Sequence, residues 1–276
     1  MTNTDLGRIG RIFIYSVLSI MTVLALAPGV WVIVSSFSTP PEIYSGQVIP
    51  RSINFDGYRD LLSDANLVNA LVNTLLYSVV GTLGALFVGL LAAYPTARME
   101  FPGREAIVTL FGLTLSIPIV GLIVPEYYLM LKVGLYNSRV GLALFYVALF
   151  FPLAFLILRA YLVRLPTEVE EAARVDGANY FQLLYHIILP LSRPALVTVA
   201  VVVFINIWNE FLFALVLAPS PENSNVQVVL STFKAQFQFN VTAMLAGTTI
   251  VMLVPIIVFL FLQRYVVAGL TAGFSK

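Results

Sequence analysis

Six long apolar stretches constrain the fold of this chain more than any other feature. A helix that crosses a bilayer needs about 20 mainly apolar residues, and six segments meet that requirement. They are Ile12–Ser36, Val68–Ala97, Ala106–Leu131, Val140–Tyr161, Pro194–Leu217 and Val241–Tyr265. Because backbone polar groups in lipid must be paired within the protein, these segments are expected to be helices. The sequence therefore predicts an all-α, polytopic membrane bundle with six transmembrane helices.

Composition supports this class and excludes several functions. Only 11% of the 276 residues are charged, whereas a soluble domain carries about 25%. The net charge of +1 gives no indication of nucleic-acid binding, and no nucleic-acid partner is expected. The chain has no cysteine and a single histidine, His186, so no metal site is expected. The uncharged N-terminal stretch exceeds the roughly 7–15 residues of a signal-peptide core, which indicates a retained helix.

Lysine and arginine positions predict the orientation of the helices. With the N-terminus inside, ten basic residues fall on the inner side and five on the outer side. Both termini and the segment 163–193 are then cytoplasmic. The two longest outer connections are Ser38–Leu67 and Ala218–Asn240.

The polar segment 163–193, here called the elbow, lies between the fourth and fifth apolar stretches. Thr167 followed by Glu170 predicts a capping box at the start of a short helix. Gly177 can end that helix in the left-handed conformation. Small side chains on this helix would let a partner approach closely; they are Val169, Ala172 and Ala173.

A second short helix is predicted in the elbow. Asn179, with Gln182 three residues later, forms a capping-box pattern at its start. Pro190 is expected to end it. One face of this helix is predicted to be apolar and to carry Phe181, Leu184 and Ile188.

The spacing Glu171-Ala172-Ala173, three residues, Gly177, nine residues, Ile187-x-Leu189-Pro190 resembles the EAA loop of ATP-binding-cassette importer permeases. In that family the loop is the mechanical joint to the ATPase subunit. The resemblance implies a two-helix coupling loop. It assigns ATPase coupling to Glu170, Glu171, Ala172, Ala173, Asp176, Gly177, Ile187, Leu189 and Pro190.

Three further patterns extend the resemblance to about residues 10–276. Arg98 and Phe101-Pro102-Gly103 resemble the family's short inner turn. Trp208-Asn209-Glu210 resembles the subgroup that imports carbohydrates. Gln263-Arg264 and Gly269–Gly273 resemble the C-terminus of the maltose-type G subunit. Taken together, these patterns resemble those of maltose-G-like sugar-importer permeases.

This resemblance implies one permease domain over residues 1–276, with a core at about 68–265. It implies a multi-pass protein of a bacterial or archaeal cytoplasmic membrane. The substrate would be a sugar, oligosaccharide, sugar alcohol, amino sugar or glycerol phosphate. The implied partners are a second permease subunit, two cytoplasmic ATPase subunits and an extracytoplasmic substrate-binding protein.

A polar face is predicted on the fifth apolar segment. Asn206, Asn209 and Glu210 have i, i+3, i+4 spacing. Polar groups at membrane depth usually face protein or a water-filled pathway. We interpret this face as a lining of the sugar pathway, and the alternative is polar contact between helices. Glu126, in the third segment, is expected to have a structural or interfacial role.

The residues support two other functions less well. An ion-coupled secondary transporter could use Glu210 or Glu126, but no inverted repeat is evident. An intramembrane enzyme would need a constellation of acid, base and nucleophile that the sequence lacks. No Gly-x-x-x-x-Gly-Lys-Ser/Thr sequence occurs. ATP and Mg²⁺ are therefore expected to bind a partner ATPase, with no cofactor and no enzyme activity in this chain.

Overall fold

The computed structural model describes residues 7–236 and 240–271, and this part of the chain contains helices and no strand. In chain order the α-helices are α1 Arg8–Ser35, α2 Pro40–Tyr44, α3 Asp56–Ser63, α4 Ala65–Arg98, α5 Arg104–Thr114, α6 Ile123–Lys132, α7 Arg139–Leu162, α8 Glu168–Val175, α9 Tyr180–Leu183, α10 Leu189–Leu191, α11 Arg193–Trp208, α12 Leu212–Leu217, α13 Val226–Gln236 and α14 Val241–Thr271. A 3-10 turn, Ile119–Leu122, precedes α6, and a π-helical turn, Leu184–Ile188, follows α9. The predicted all-α class is confirmed.

Four continuous helices among the described residues are long and apolar enough to cross a membrane: α1, α4, α7 and α14. Two bent pairs raise the number of spans to as many as six. Arg104–Thr114 and Ile119–Lys132 meet at 97°, and Tyr180–Leu191 and Arg193–Trp208 meet at 73°. The first bend coincides with Pro118, the residue that precedes the 3-10 turn, because proline cannot continue a helix without losing a hydrogen bond.

The prediction of one continuous helix over Pro194–Leu217 is wrong. The segment is divided into α11 and α12, with Asn209, Glu210 and Phe211 between them. No proline lies at this break. Polar side chains pair the backbone groups that the break exposes, and their contacts are described with the site.

The two longer connections contain helices that the sequence analysis did not predict. α2 and α3 lie within Ser38–Leu67, and α13 lies within Ala218–Asn240. α2 begins with Pro40, which suits the first turn because its missing N–H would have no helical partner there. These connections are therefore partly helical rather than open loops.

Two compact units are distinguished within the chain. The first comprises the described parts of 1–65 and 230–253. In it the backbone of Gly57 approaches Thr242 so closely that a Cβ would lie 2.7 Å from the Thr242 carbonyl. Asn240 donates a hydrogen bond to Asp60 at 3.0 Å. These contacts join α3 to the start of α14.

The second unit comprises 66–229 with the described part of 254–276. Its core contains the small-residue stripe of α4, which consists of Gly81, Ala85, Gly89 and Ala93. A Cβ on Gly89 would lie 3.0 Å from the Ala154 Cβ and 3.1 Å from the Phe155 nitrogen. The stripe therefore allows α4 and α7 to pack closely, as the small-xxx-small pattern predicts.

Candidate functional site: the elbow and the break between α11 and α12

The first helix of the elbow ends at Gly177 as predicted. This glycine has φ +85°, a conformation that favours glycine. Its N–H donates to the Arg174 carbonyl, and the Ala178 N–H donates to the Ala173 carbonyl. These bonds satisfy carbonyls that the helix end would otherwise leave unpaired. Gly177 therefore sets the angle at which α8 leads into the next helix.

The start of the second elbow helix is also confirmed. The Asn179 side chain accepts a hydrogen bond from the Gln182 N–H at 2.9 Å, and the Gln182 side chain accepts from the Asn179 N–H at 2.8 Å. This reciprocal pair is the predicted capping box.

The predicted capping box at Thr167 is wrong. Thr167 has a helical backbone conformation and makes no side-chain cap bond. Glu170 instead turns inward, and its Oε1 lies 2.7 Å from the Arg98 Nε. Both side chains are buried, with exposed fractions of 7% for Arg98 and 6% for Glu170. Glu170 therefore pairs with Arg98 instead of completing a capping box with Thr167.

The prediction that Pro190 ends the second helix is also wrong. The chain stays helical through Leu191 and first departs from helical geometry at Ser192. Pro190 has no N–H for a carbonyl of the preceding turn. The π-helical turn at Leu184–Ile188 widens the backbone there, so the proline is accommodated.

The elbow exposes several large apolar side chains. Val175 is 88% exposed and Phe181 is 82% exposed. The elbow apolar surface comprises these two residues with Val169, Tyr180 and Tyr185. Of the predicted apolar face, Ile188 is buried and Leu184 is half-buried, whereas Phe181 is exposed. An apolar surface of this kind on a charged, polar segment indicates an interaction site.

The structure brings part of the predicted coupling set together. Asp176, Gly177 and Ile187 line one open cavity of about 250 Å³. The same cavity is lined by Ala178, Gln182 and His186. Glu171 and Ala172 are exposed on α8, whereas Ala173, Leu189 and Pro190 are half-buried.

The predicted pathway residues are separated by the end of α11. Asn206 and Asn209 are exposed, and each donates a side-chain hydrogen bond within its own helix, to the Val202 and Ile205 carbonyls. Glu210 lies beyond the end of the helix and is half-buried. The expectation of one continuous polar helix face is therefore wrong for Glu210.

The Glu210 carboxylate is held by three donors. It accepts from the Tyr146 hydroxyl at 2.6 Å, from the Phe213 N–H at 2.8 Å and from the Ala214 N–H at 3.0 Å. The two N–H groups belong to the first turn of α12, where no helical carbonyl is available. Glu210 thus pairs the start of α12 and ties it to α7.

Two carbonyls at and just beyond the end of α11 accept hydrogen bonds from two side chains near the start of α13. Asn225 donates to the Glu210 carbonyl, and Gln227 donates to the Trp208 carbonyl at 3.4 Å. The sequence alone does not mark Tyr146, Asn225 or Gln227 as functional residues. The sequence signal for Tyr146 is a polar hydroxyl within an apolar helix. Its partner, Glu210, is evident only from the folded structure.

Comparison with known proteins identifies the family. Residues 85–272 match the family described as binding-protein-dependent transport system inner membrane component. The match covers more than half of the chain and includes the elbow and both halves of the broken helix. The chain belongs to this family. This permease is therefore an inner-membrane component of a transport system, not a catalytic enzyme.

Individual relatives resemble the permease over nearly its whole length. It is 35% identical over 254 residues to the trehalose transport system permease protein SugB of Mycobacterium tuberculosis, and the match covers 91% of this chain and 93% of the relative. It is 33% identical over 261 residues to the trehalose/maltose transport system permease protein MalG of Thermococcus litoralis, covering 93% and 94%. The predicted family is confirmed.

A solved structure resembles the permease as well. A chain of a bacterial ABC transporter involved in the import of the acidic polysaccharide alginate has 26% identity and a TM-score of 0.81, and the match covers 95% of this chain and 99% of that chain. These findings confirm that the permease belongs to an ATP-binding-cassette importer. They argue against the ion-coupled secondary transporter considered from the sequence.

Proposed function

We propose that this permease forms half of the translocation pathway of an ATP-driven, binding-protein-dependent importer of a carbohydrate. The other half would come from a second permease subunit. Two cytoplasmic ATPase subunits would bind ATP and Mg²⁺, and an extracytoplasmic binding protein would deliver the substrate. The relatives named for trehalose, maltose and diacetylchitobiose support a sugar as substrate.

The elbow is the observation that carries this proposal. It presents an apolar surface around Val175 and Phe181. On the other side it is held by the buried contact between Arg98 and Glu170. A segment fixed on one side and apolar on the other is suited to dock into a cleft of an ATPase. The proposed coupling residues are those of the EAA pattern, from Glu170 to Pro190.

The carbohydrate assignment is tested by calorimetry on the extracytoplasmic binding protein that is proposed as the partner of this permease. Trehalose, maltose, diacetylchitobiose and glycerol 3-phosphate form a suitable panel. Saturable binding of one member is the expected result. Binding of an amino acid or a metal ion, with no heat from any member of the panel, would refute the carbohydrate assignment.

The orientation is a second prediction. The elbow and both termini are proposed to be cytoplasmic, because basic residues favour that side. The tail from Ala272 to Lys276 lies outside the described residues, so the test uses exposed described positions. In this cysteine-free chain, Glu222→Cys should react with an impermeant maleimide in intact cells, whereas Glu168→Cys, which is exposed on α8 outside the elbow apolar surface, should react only after permeabilisation. The reverse pattern would overturn the orientation.

A third prediction concerns Asn209 as a pathway residue. Its side chain is exposed, and its only described side-chain donation is to its own helix. A hydrogen bond to a sugar hydroxyl contributes about 0.5–1.5 kcal/mol. Asn209→Ala should therefore lower sugar uptake several-fold, while the yield of the complex and its ATPase rate stay unchanged. Normal uptake by this variant would remove Asn209 from the proposed pathway.

A further inference from the structure

A buried ion pair behind the elbow is not accounted for by docking. Arg98 is the last residue of α4, and Glu170 lies in the first turn of α8. Their side chains meet at 2.7 Å and are almost fully buried. The Arg98 Nε and the Glu170 Oε1 have no aligned hydrogen bond to any described group. The two atoms that approach most closely are therefore held by the attraction between opposite charges.

Further contacts join the same two elements. The Arg98 Nη2 donates to the Leu165 carbonyl at 2.9 Å, just before α8 begins. The Tyr94 hydroxyl donates to the Glu170 Oε2 at 3.4 Å. Arg98 and Glu170 thus stand at the centre of a set of contacts that joins the end of α4 to the start of α8.

The chemistry of this pair favours a role in positioning. Replacing a buried ion pair with apolar side chains is often neutral or stabilising, so burial of this pair is not by itself evidence of a stabilising role. An arginine that contacts both a carboxylate and a carbonyl has directional requirements that an apolar contact lacks. The pair therefore specifies one orientation of α8 relative to α4.

We propose that Arg98 and Glu170 are positioning residues that make α8 and the C-terminal end of α4 one rigid body. A displacement of the elbow by the ATPase would then move α4 directly. Because α4 packs through its small-residue stripe on α7, the movement would reach the bundle. This inference rests on the proposed docking of the elbow to an ATPase.

The test is a distance measurement in the assembled importer. Spin labels are placed on Thr167→Cys, at the start of the elbow, and on Leu83→Cys, which is exposed on α4. Leu83 lies 15 residues before Arg98, which places it about 22 Å from Arg98 along the helix axis, a scale that suits pulsed electron paramagnetic resonance. The distance is measured without nucleotide and after trapping with Mg-ATP and vanadate.

If the link is rigid, the distribution of label-to-label distances should be narrow, and its mean should be the same without nucleotide and after trapping with Mg-ATP and vanadate. Glu170→Gln should widen the distribution of label-to-label distances at least twofold. It should also lower the stimulation of the importer's ATPase activity. The charge swap Arg98→Glu with Glu170→Arg should narrow the distribution again. Glu168→Gln, an exposed carboxylate on the same helix, is the matched control and should behave as the wild type.

Three results would overturn the inference. In the first, the mean label-to-label distance in the wild type differs between the two nucleotide states by more than the width of the distance distribution; this result needs no variant. In the second, Glu170→Gln keeps the wild-type width of the distance distribution. In the third, Glu170→Gln lowers only the yield of the complex, and the complex that can be purified keeps the wild-type distance distribution and the wild-type stimulation of ATPase activity. A wild-type complex that fails to bind the ATPase or to trap nucleotide would instead refute the proposed function itself.

Discussion

Replacing Gly177 with tryptophan should lower transport by at least tenfold while the chain still inserts into the membrane. Gly177 has φ +85°, and a side chain in that conformation costs about 1–2 kcal/mol. No described atom lies within 4 Å of a Cβ built there, so the indole would project from the elbow rather than clash within the chain. It would occupy the space proposed for the ATPase. Sugar uptake and the amount of chain in the membrane are measured together.

Two variants separate backbone strain from loss of docking. Gly177→Asn keeps a small residue that tolerates the left-handed conformation, and it should retain most of the uptake. Gly134 also has a positive φ and open space around its Cβ, but it lies outside the elbow. Gly134→Trp should leave the ATPase in the complex. Full transport by Gly177→Trp would refute the docking claim.

Replacing Glu210 with alanine should reduce complex yield, ATPase activity and transport together. The substitution removes the acceptor for Tyr146 and for two N–H groups of α12. A hydrogen bond to a charged group contributes about 1.5–3 kcal/mol, and unpaired N–H groups at membrane depth cost several kcal/mol. The yield of assembled complex in detergent, relative to wild type, is the primary measurement.

Tyr146→Phe is the matched partner variant, because it removes one of the three donors and keeps the ring. It should reduce yield less than Glu210→Ala does. Asn209→Ala should keep a normal yield and lower uptake only. If the Glu210→Ala complex assembled normally and lost only transport, Glu210 would be a pathway residue. The prediction that Glu210 stabilises the start of α12 would then be wrong.

Features that depend on local backbone chemistry were predictable from the sequence. Gly177 needs its left-handed conformation because of the helix that precedes it, and Asn179 caps its own helix through Gln182. Both signals lie within a few residues of the structure they determine. The apolar stretches were predictable for a similar reason, since length and composition decide whether a helix can cross a bilayer.

Features that depend on distant partners were not predictable. Glu170 would cap α8 in isolation, but it pairs with Arg98, which lies 72 positions earlier in the chain. The break after Trp208 has no proline, and it is stabilised by Asn225 and Gln227 from another part of the chain. A single sequence does not indicate which polar groups meet across a fold.

The elbow's docking to an ATPase is most directly tested by a photocrosslinker at Phe181, which is 82% exposed. Benzoylphenylalanine is placed at this position in cells that express the whole transporter, and a second sample carries it at Leu83 on α4. After irradiation, adducts are identified by mass spectrometry. The docking account predicts that position 181, but not position 83, is joined to a protein with a Gly-x-x-x-x-Gly-Lys-Ser/Thr sequence. An adduct of position 181 with lipid alone, or with proteins that lack this sequence, would contradict it.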